Sequence, residues 1–204
     1  MIFDDTISEL QSHTFIYLLK KNKLGIIYQA RQYLGTQILI NLYNTFILPL
    51  LIYCLEIWGN ACDSHLNPII KLQKKIIRII TFSAYKAHTV PLFDTLKILP
   101  FKKLVVQRIG LQMYKYSRNT LPEAVMDLFH SNNSVHNYNT RQKHNLRHPL
   151  GKHEYMYRSF TFIAVYIWNH IISKSNIDIL APYSRFKNIL KDYLLKNDIS
   201  FRIT

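Results

Sequence analysis

Acidic residues are scarce in this chain. Twelve Asp and Glu face 26 Lys and Arg, which leaves a formal net charge of +14 with the histidines neutral and a pI near 9.8. A surface so one-sided repels itself unless it meets a polyanion or an acidic membrane, so nucleic acid heads the classes of partner. Cysteine is scarcer still. Cys54 and Cys62 are too few for a disulfide framework and wrongly spaced for a zinc knuckle. Cys54 lies in an apolar run and is expected in the core, and the compartment is reducing or unspecified. Met1-Ile2-Phe3-Asp4-Asp5 has neither a basic n-region nor an apolar h-region. No secretory signal is expected, and the Asn132-Asn133-Ser134 sequon carries no weight. There is no internal repeat, and no nucleophile elbow for serine–histidine–aspartate chemistry.

An uninterrupted membrane span is also missing. Residues 37–55 (QILINLYNTFILPLLIYCL) hold no charge and approach the ~20 residues a span requires. Asn41, Asn44, Thr45 and Pro49 interrupt them, and Glu56 follows at once. Pro49 is expected to end or kink the helix, giving two shorter core helices.

What is present is a chain of 204 residues, 49% of them hydrophobic, enough for one large domain or two small lobes with a real core. Helical periodicity marks 15–33, with Lys20, Lys21, Lys23 and Arg31 outside, and a block from about 36 to 58, broken near Pro49 and stopped by Gly59-Asn60. The strongest signal is 66–82, LNPIIKLQKKIIRIITF. On a helix, Ile69, Ile70, Leu72, Ile76, Ile77, Ile79 and Ile80 fall on one half. Lys71, Lys74, Lys75 and Arg78 crowd a narrow wedge opposite, with no acid among them. Asn67 is the expected N-cap and Pro68 the first helical residue.

Residues 83–88 read as a connector. Thr89 caps a short helix begun by Pro91, and Pro100 opens a longer one with Leu104, Val105, Ile109, Leu111 and Met113 as its core stripe. Leu121-Pro122 starts a further short helix toward Phe129. Composition shifts near residue 130: 131–154 holds Asn and His but few aliphatics, and reads as irregular. Residues 155–172 are apolar, β-branched and aromatic, leaving helix and strand open. A last helix is expected over about 182–196.

Three constellations could carry chemistry. Asp4-Asp5 has the look of a nucleotidyl-transfer metal pair, but lacks an upstream carboxylate and a flanking strand–turn–strand pattern. His144-x3-His148-x4-His153 has metal-motif spacing, yet its Asn-, Arg- and Pro-rich setting does not favour a helix in register. No Cys or Glu completes it before Glu154. The third is basic and aromatic: Tyr85, Lys86 and His88, then Tyr138, Thr140, Arg141 and Lys143. Cations and hydroxyls there would touch phosphates, and Tyr would stack on a base or sugar. On the residues alone, local packing of Tyr138 and pairing of Arg141 are an equal alternative.

Read in order, INLYNTFILPLLIYCLEIWGNA, LQKKIIRIITFSAYKAHTVPLFDTLKIL, VHNYNTRQ, Arg158-Ser159, Trp168-Asn169 and SRFKNILKDYLL are familiar. Their order and spacing resemble the C-terminal part of non-LTR (LINE-type, jockey-like) retrotransposon reverse transcriptases. Residues 4–13, DDTISELQSH, look like the segment joining that family's palm to its thumb, which makes Asp4-Asp5 a post-palm loop. There are departures. Where relatives often have Gly-Pro ahead of Lys-hydrophobe-Trp-Asn, this chain has Ala164-Val165-Tyr166-Ile167-Trp168-Asn169, and it lacks the Cys/His knuckle of some related elements.

The resemblance implies a mainly α fold: a loose post-palm segment 1–12, a helical thumb-like bundle 13–82, a helical connector region 83–130 and a small helical C-terminal lobe 131–204 with the irregular insert 131–154. It implies a fragment, not catalytic alone, of an RNA-directed DNA polymerase whose palm and metal-binding aspartates precede it in the family. No cofactor is expected in the fragment itself, while the full-length family enzyme would use a divalent metal, Mg, in that palm. Partners would be RNA, DNA or an RNA–DNA duplex, and the palm and fingers, with no membrane. Lys71, Lys74, Lys75 and Arg78 are the best backbone contacts, followed by Tyr85, Lys86, His88, Tyr138, Thr140, Arg141 and Lys143. Two other classes stay open: a membrane-associated protein anchored by 37–55, and a protein-binding module with no nucleic-acid role.

Overall fold

The isoleucine periodicity of the 66–82 stretch becomes the longest helix among the described residues. In the computed structural model, which describes residues 24–134, 141–143, 145–151, 153–172 and 177–197, the fold is mainly α. Among the described residues extended pairing is limited to an isolated antiparallel bridge between Ser131 and Leu146. By internal contacts the chain divides into residues 1–105 and 106–204. That division falls inside a helix and is a different kind of boundary from the compositional shift near residue 130.

In the first unit the described helices are α1 (Leu24–Ala30), α2 (Thr36–Leu42), α3 (Leu48–Ile52), α4 (Leu55–Trp58), α5 (Asp63–Ile80) and α6 (Val90–Leu96). The opening of α7 (Phe101–Ser117) completes it. Leu66, Ile69, Leu72, Ile76, Ile77, Ile79 and Ile80 of α5 are buried, and Ile70 is half-buried. Each fully buried side chain of this size contributes about 1.5–3 kcal/mol, so this face dominates the packing of the unit. Helix α5 begins at Asp63 rather than at Pro68, with Cys62 and not Asn67 at the cap position. An acidic first residue suits the positive end of a helix. Pro68 then sits one turn in, where the only intrahelical bond it forgoes is the one to the carbonyl of Ser64.

Nor does Pro49 break its helix. Between α2 and α3 the backbone widens into a π turn, Tyr43–Ile47, in which the amide of Leu48 donates to the Tyr43 carbonyl. The Thr45 hydroxyl takes the Asn41 carbonyl at 2.9 Å. Pro49 lies in the first turn of α3, just past this irregularity, where a missing N–H costs little. The break comes instead at Tyr53, which is extended, and Cys54, which is left-handed at φ 49°. Cys54 is half-buried, not a core residue. Among the described residues no helix is long and apolar enough to cross a membrane.

Gly59 does not act as a left-handed stop, since its φ is −64°. It is there for space: a Cβ would come within 2.5 Å of the Leu55 carbonyl oxygen and 2.8 Å of a Val105 methyl. Beside it Trp58 packs on Phe101 with ring centroids 5.5 Å apart and donates from Nε1 to the Tyr53 carbonyl at 2.8 Å. One buried polar side chain ties three segments together. Gln73 donates from Nε2 to the Tyr43 hydroxyl (3.0 Å) and the Leu99 carbonyl (3.1 Å), while its Oε1 accepts from the Phe101 amide (2.8 Å). Thr89 precedes α6 as expected, but it is buried in helical backbone and its side chain makes no cap bond.

The second unit comprises the rest of α7, α8 (Glu123–Met126), a 3-10 turn at Asn132–Ser134, α9 (Glu154–Tyr157), α10 (Phe160–Tyr166), a π turn at Ile167–Ile172 and α11 (Tyr183–Lys196). The 155–172 stretch is thus helical up to Tyr157 and again over Phe160–Ile172, with a turn at Arg158-Ser159 between the two. Ser159 caps α10, its hydroxyl accepting from the Phe162 amide. Tyr114 stacks on Phe186 at 4.5 Å and donates to the Ala181 carbonyl at 2.7 Å, fixing the start of α11.

Candidate nucleic-acid interface

The cation wedge foreseen on α5 is largely in solvent. Lys71, Lys74 and Lys75 are exposed and Arg78 is half-buried. From Lys71 to Arg78 the helix rises roughly 10 Å, about the span of three phosphates along one strand. Like charges three and four residues apart cost a few tenths of a kcal/mol per pair. The pairs 71/74, 71/75, 74/78 and 75/78 therefore weigh about 1–2 kcal/mol against the free helix, relieved in part by its negative C-terminal end. An ion pair lies at the other end of α5: Lys102 to Asp63 at 3.3 Å, both more than half exposed and worth little.

The last turn of α5 ends with an uncommon residue. Ser83 donates to the Arg78 carbonyl (3.1 Å) and Phe82 to that of Ile79 (3.3 Å), the pattern that places a left-handed residue just past a helix. Glycine normally fills that position; here it is Phe82, at φ 55°. A bulky side chain there costs about 1–2 kcal/mol. In return the Phe82 ring carries the Arg31 guanidinium of the segment after α1, 4.8 Å above its centroid. The connector beyond is tied back by Arg78, whose Nε donates to the Ala87 carbonyl at 2.9 Å.

These constraints shape a half-open groove of about 500 Å³, lined among others by Tyr28, Arg31, Lys75, Arg78, Ser83 and Tyr85. Three cations face it, and no acid is among its described lining residues. Tyr28 and Tyr85 are well exposed, at 57% and 78%. Lys75, Arg78 and Tyr85, which sequence spacing assigned to two separate stretches, thus meet at one place. Tyr28 and Arg31 were not singled out as contacts, although Leu24, Tyr28 and Arg31 share one helical face in steps of four and three.

Lys71 and Lys74 continue the charge along α5, and Lys86 and His88 are exposed on the connector. Arg141 and Lys143 belong to the second unit, Arg141 exposed and Lys143 half-buried. Tyr138 and Thr140 lie outside the described residues, as do Asp4, Asp5 and His144. Among the described residues no group of three or more His, Cys, Asp or Glu is placed to hold a metal ion.

Two residue pairs of the familiar C-terminal strings have structural work. Ser159 is the cap of α10. Asn169, buried on the π turn, donates to the Leu146 carbonyl (2.8 Å) and accepts from the Leu146 amide (3.0 Å). Nearby, the ring of His148 lies 6.1 Å from that of His170, and its Nδ1 is shielded from solvent with no hydrogen-bond partner among the described residues. Burial, and secondarily the neighbouring His170, hold the His148 pKa below the ordinary imidazole value.

No family model, no curated protein and no solved structure matches this chain.

Proposed function

We propose that this chain grips the backbone of a nucleic acid, as the helical thumb portion of an RNA-directed DNA polymerase of the non-LTR retrotransposon type, and is not catalytic by itself. The observation that carries the reading is the acid-free run Lys71, Lys74, Lys75 and Arg78 on the solvent side of α5, continuous with Arg31 at the groove. Support comes from its energetics: four like-charge pairs weaken the isolated helix, and a polyanion turns that cost into affinity. The sequence resemblance adds the polymerase context, with backbone rather than base contacts as the mode of binding.

The test is fluorescence anisotropy with a labelled RNA–DNA duplex at low salt. The full chain is expected to bind duplexes of unrelated sequence alike. Lys71→Gln, Lys74→Gln and Lys75→Gln together should weaken binding at least tenfold without altering the helical circular dichroism. A chain that binds no nucleic acid, or a triple variant that binds as tightly as the parent, overturns the reading.

A further inference from the structure

The groove at the end of α5 contains more than backbone gripping calls for. A duplex backbone presents phosphates, and its base faces are buried in its own stack. Lysines on an open helix face suffice for it, as at Lys71 and Lys74. The groove instead sets two exposed tyrosines, Tyr28 and Tyr85, around three cations. Its volume of about 500 Å³ is in the range of sites for small ligands. Aromatic rings beside cations are the combination that holds unpaired nucleotides, because each unstacked base offers a face to a ring and each phosphate a charge to a cation. The arrangement is also held in place. Phe82 keeps a left-handed backbone under the Arg31 guanidinium, and Arg78 anchors the connector that bears Tyr85 through the Ala87 carbonyl.

We infer that the groove takes an unpaired nucleotide of a single strand, its phosphate on Lys75, Arg78 and Arg31 and its base against Tyr28 or Tyr85. The inference rests on the nucleic-acid reading above and names the form of nucleic acid that this part of the surface selects. Blunt duplex engages the α5 face alone, whereas a duplex with a single-stranded overhang engages the face and the groove together. Phe82 acts here as a positioning residue, through Arg31.

The experiment compares three labelled probes by anisotropy with the full chain: a blunt RNA–DNA duplex, the same duplex with an unpaired overhang, and that overhang built from abasic sites. The overhang probe should bind about tenfold tighter than the blunt one, with the abasic overhang falling back toward blunt affinity. Tyr28→Ala and Tyr85→Ala together should abolish the overhang preference, so that overhang and blunt probes bind alike, while Tyr28→Phe and Tyr85→Phe should retain it. Equal affinity for blunt and overhang probes, or an abasic overhang as good as the natural one, overturns the inference and leaves backbone gripping intact. Failure to bind any of the three overturns both.

Discussion

Asn169 holds Leu146 by both of that residue's backbone groups, donating to its carbonyl at 2.8 Å and accepting from its amide at 3.0 Å. The pair anchors the end of an irregular stretch to a helical turn with the geometry of a strand pair, using one side chain in place of a second backbone. Replacing Asn169 with Ala strands a buried donor and a buried acceptor, at about 1–3 kcal/mol each. The expected loss is about 2–6 kcal/mol, seen as a lower midpoint in urea unfolding followed by circular dichroism. A variant with parental stability would mean that water satisfies both groups.

Gln73 plays the corresponding part in the first unit, and its variants should be graded. Tyr43→Phe removes one of its three bonds and should cost about 1 kcal/mol. Gln73→Leu also leaves the Phe101 amide and the Leu99 carbonyl without their partner and should cost about 2–4 kcal/mol in the same measurement. Equal effects from the two substitutions would contradict this picture of the knot.

Tyr43 carries a pH consequence. Burial raises its pKa to about 12, partly offset by the Gln73 hydrogen bond. A phenol whose folded pKa lies above its unfolded value of about 10 supports the fold in full below pH 10 and loses that support as pH rises toward 12. Alkaline unfolding of the parent should therefore steepen over that window, and Tyr43→Phe should flatten it. His148 runs the other way. Its lowered pKa gives stability that is complete above the unfolded value of about 6.5 and fades as pH falls below it. His148→Phe should reduce the difference in thermal midpoint between pH 7.5 and pH 5. An unchanged difference would show that the proton enters elsewhere.

The Phe82 conformation can be measured by comparing two truncations. Phe82→Ala keeps the left-handed strain and loses the ring under Arg31, whereas Phe82→Gly loses the ring and the strain. The glycine variant should be the more stable of the two by about 1 kcal/mol. If alanine is as stable as glycine, the left-handed backbone carries no strain.

How much of this was legible in the sequence depends on how local the cause is. The α5 stripe is written in isoleucine spacing and survived intact, because burial of one helix face depends on residues three and four apart. The start of α5 was not legible: DSHL has no apolar period, and Pro68 imitates a first helical residue. The π turn at Tyr43–Ile47 was equally hidden, since a local widening that spares Pro49 leaves the residue pattern unchanged. The left-handed Phe82 had no sign at all, for glycine is the residue that ordinarily marks the site. Within the groove, Lys75 and Arg78 were visible through charge periodicity. Tyr28 and Arg31 come from more than forty residues upstream of Lys75, and only packing of α1 on α5 unites them. The helical outcome over Phe160–Ile172 was likewise decided by packing, which overrode a strand-like composition.

The central claim is tested most directly by the salt dependence of RNA–DNA duplex binding in the parent and in the Lys71→Gln, Lys74→Gln, Lys75→Gln variant. Each phosphate neutralised adds close to one unit to the slope of log affinity against log salt concentration. The parent should show a steep negative slope, and the variant a slope shallower by about two to three. Binding that ignores salt, or a slope identical in the two proteins, would contradict the account.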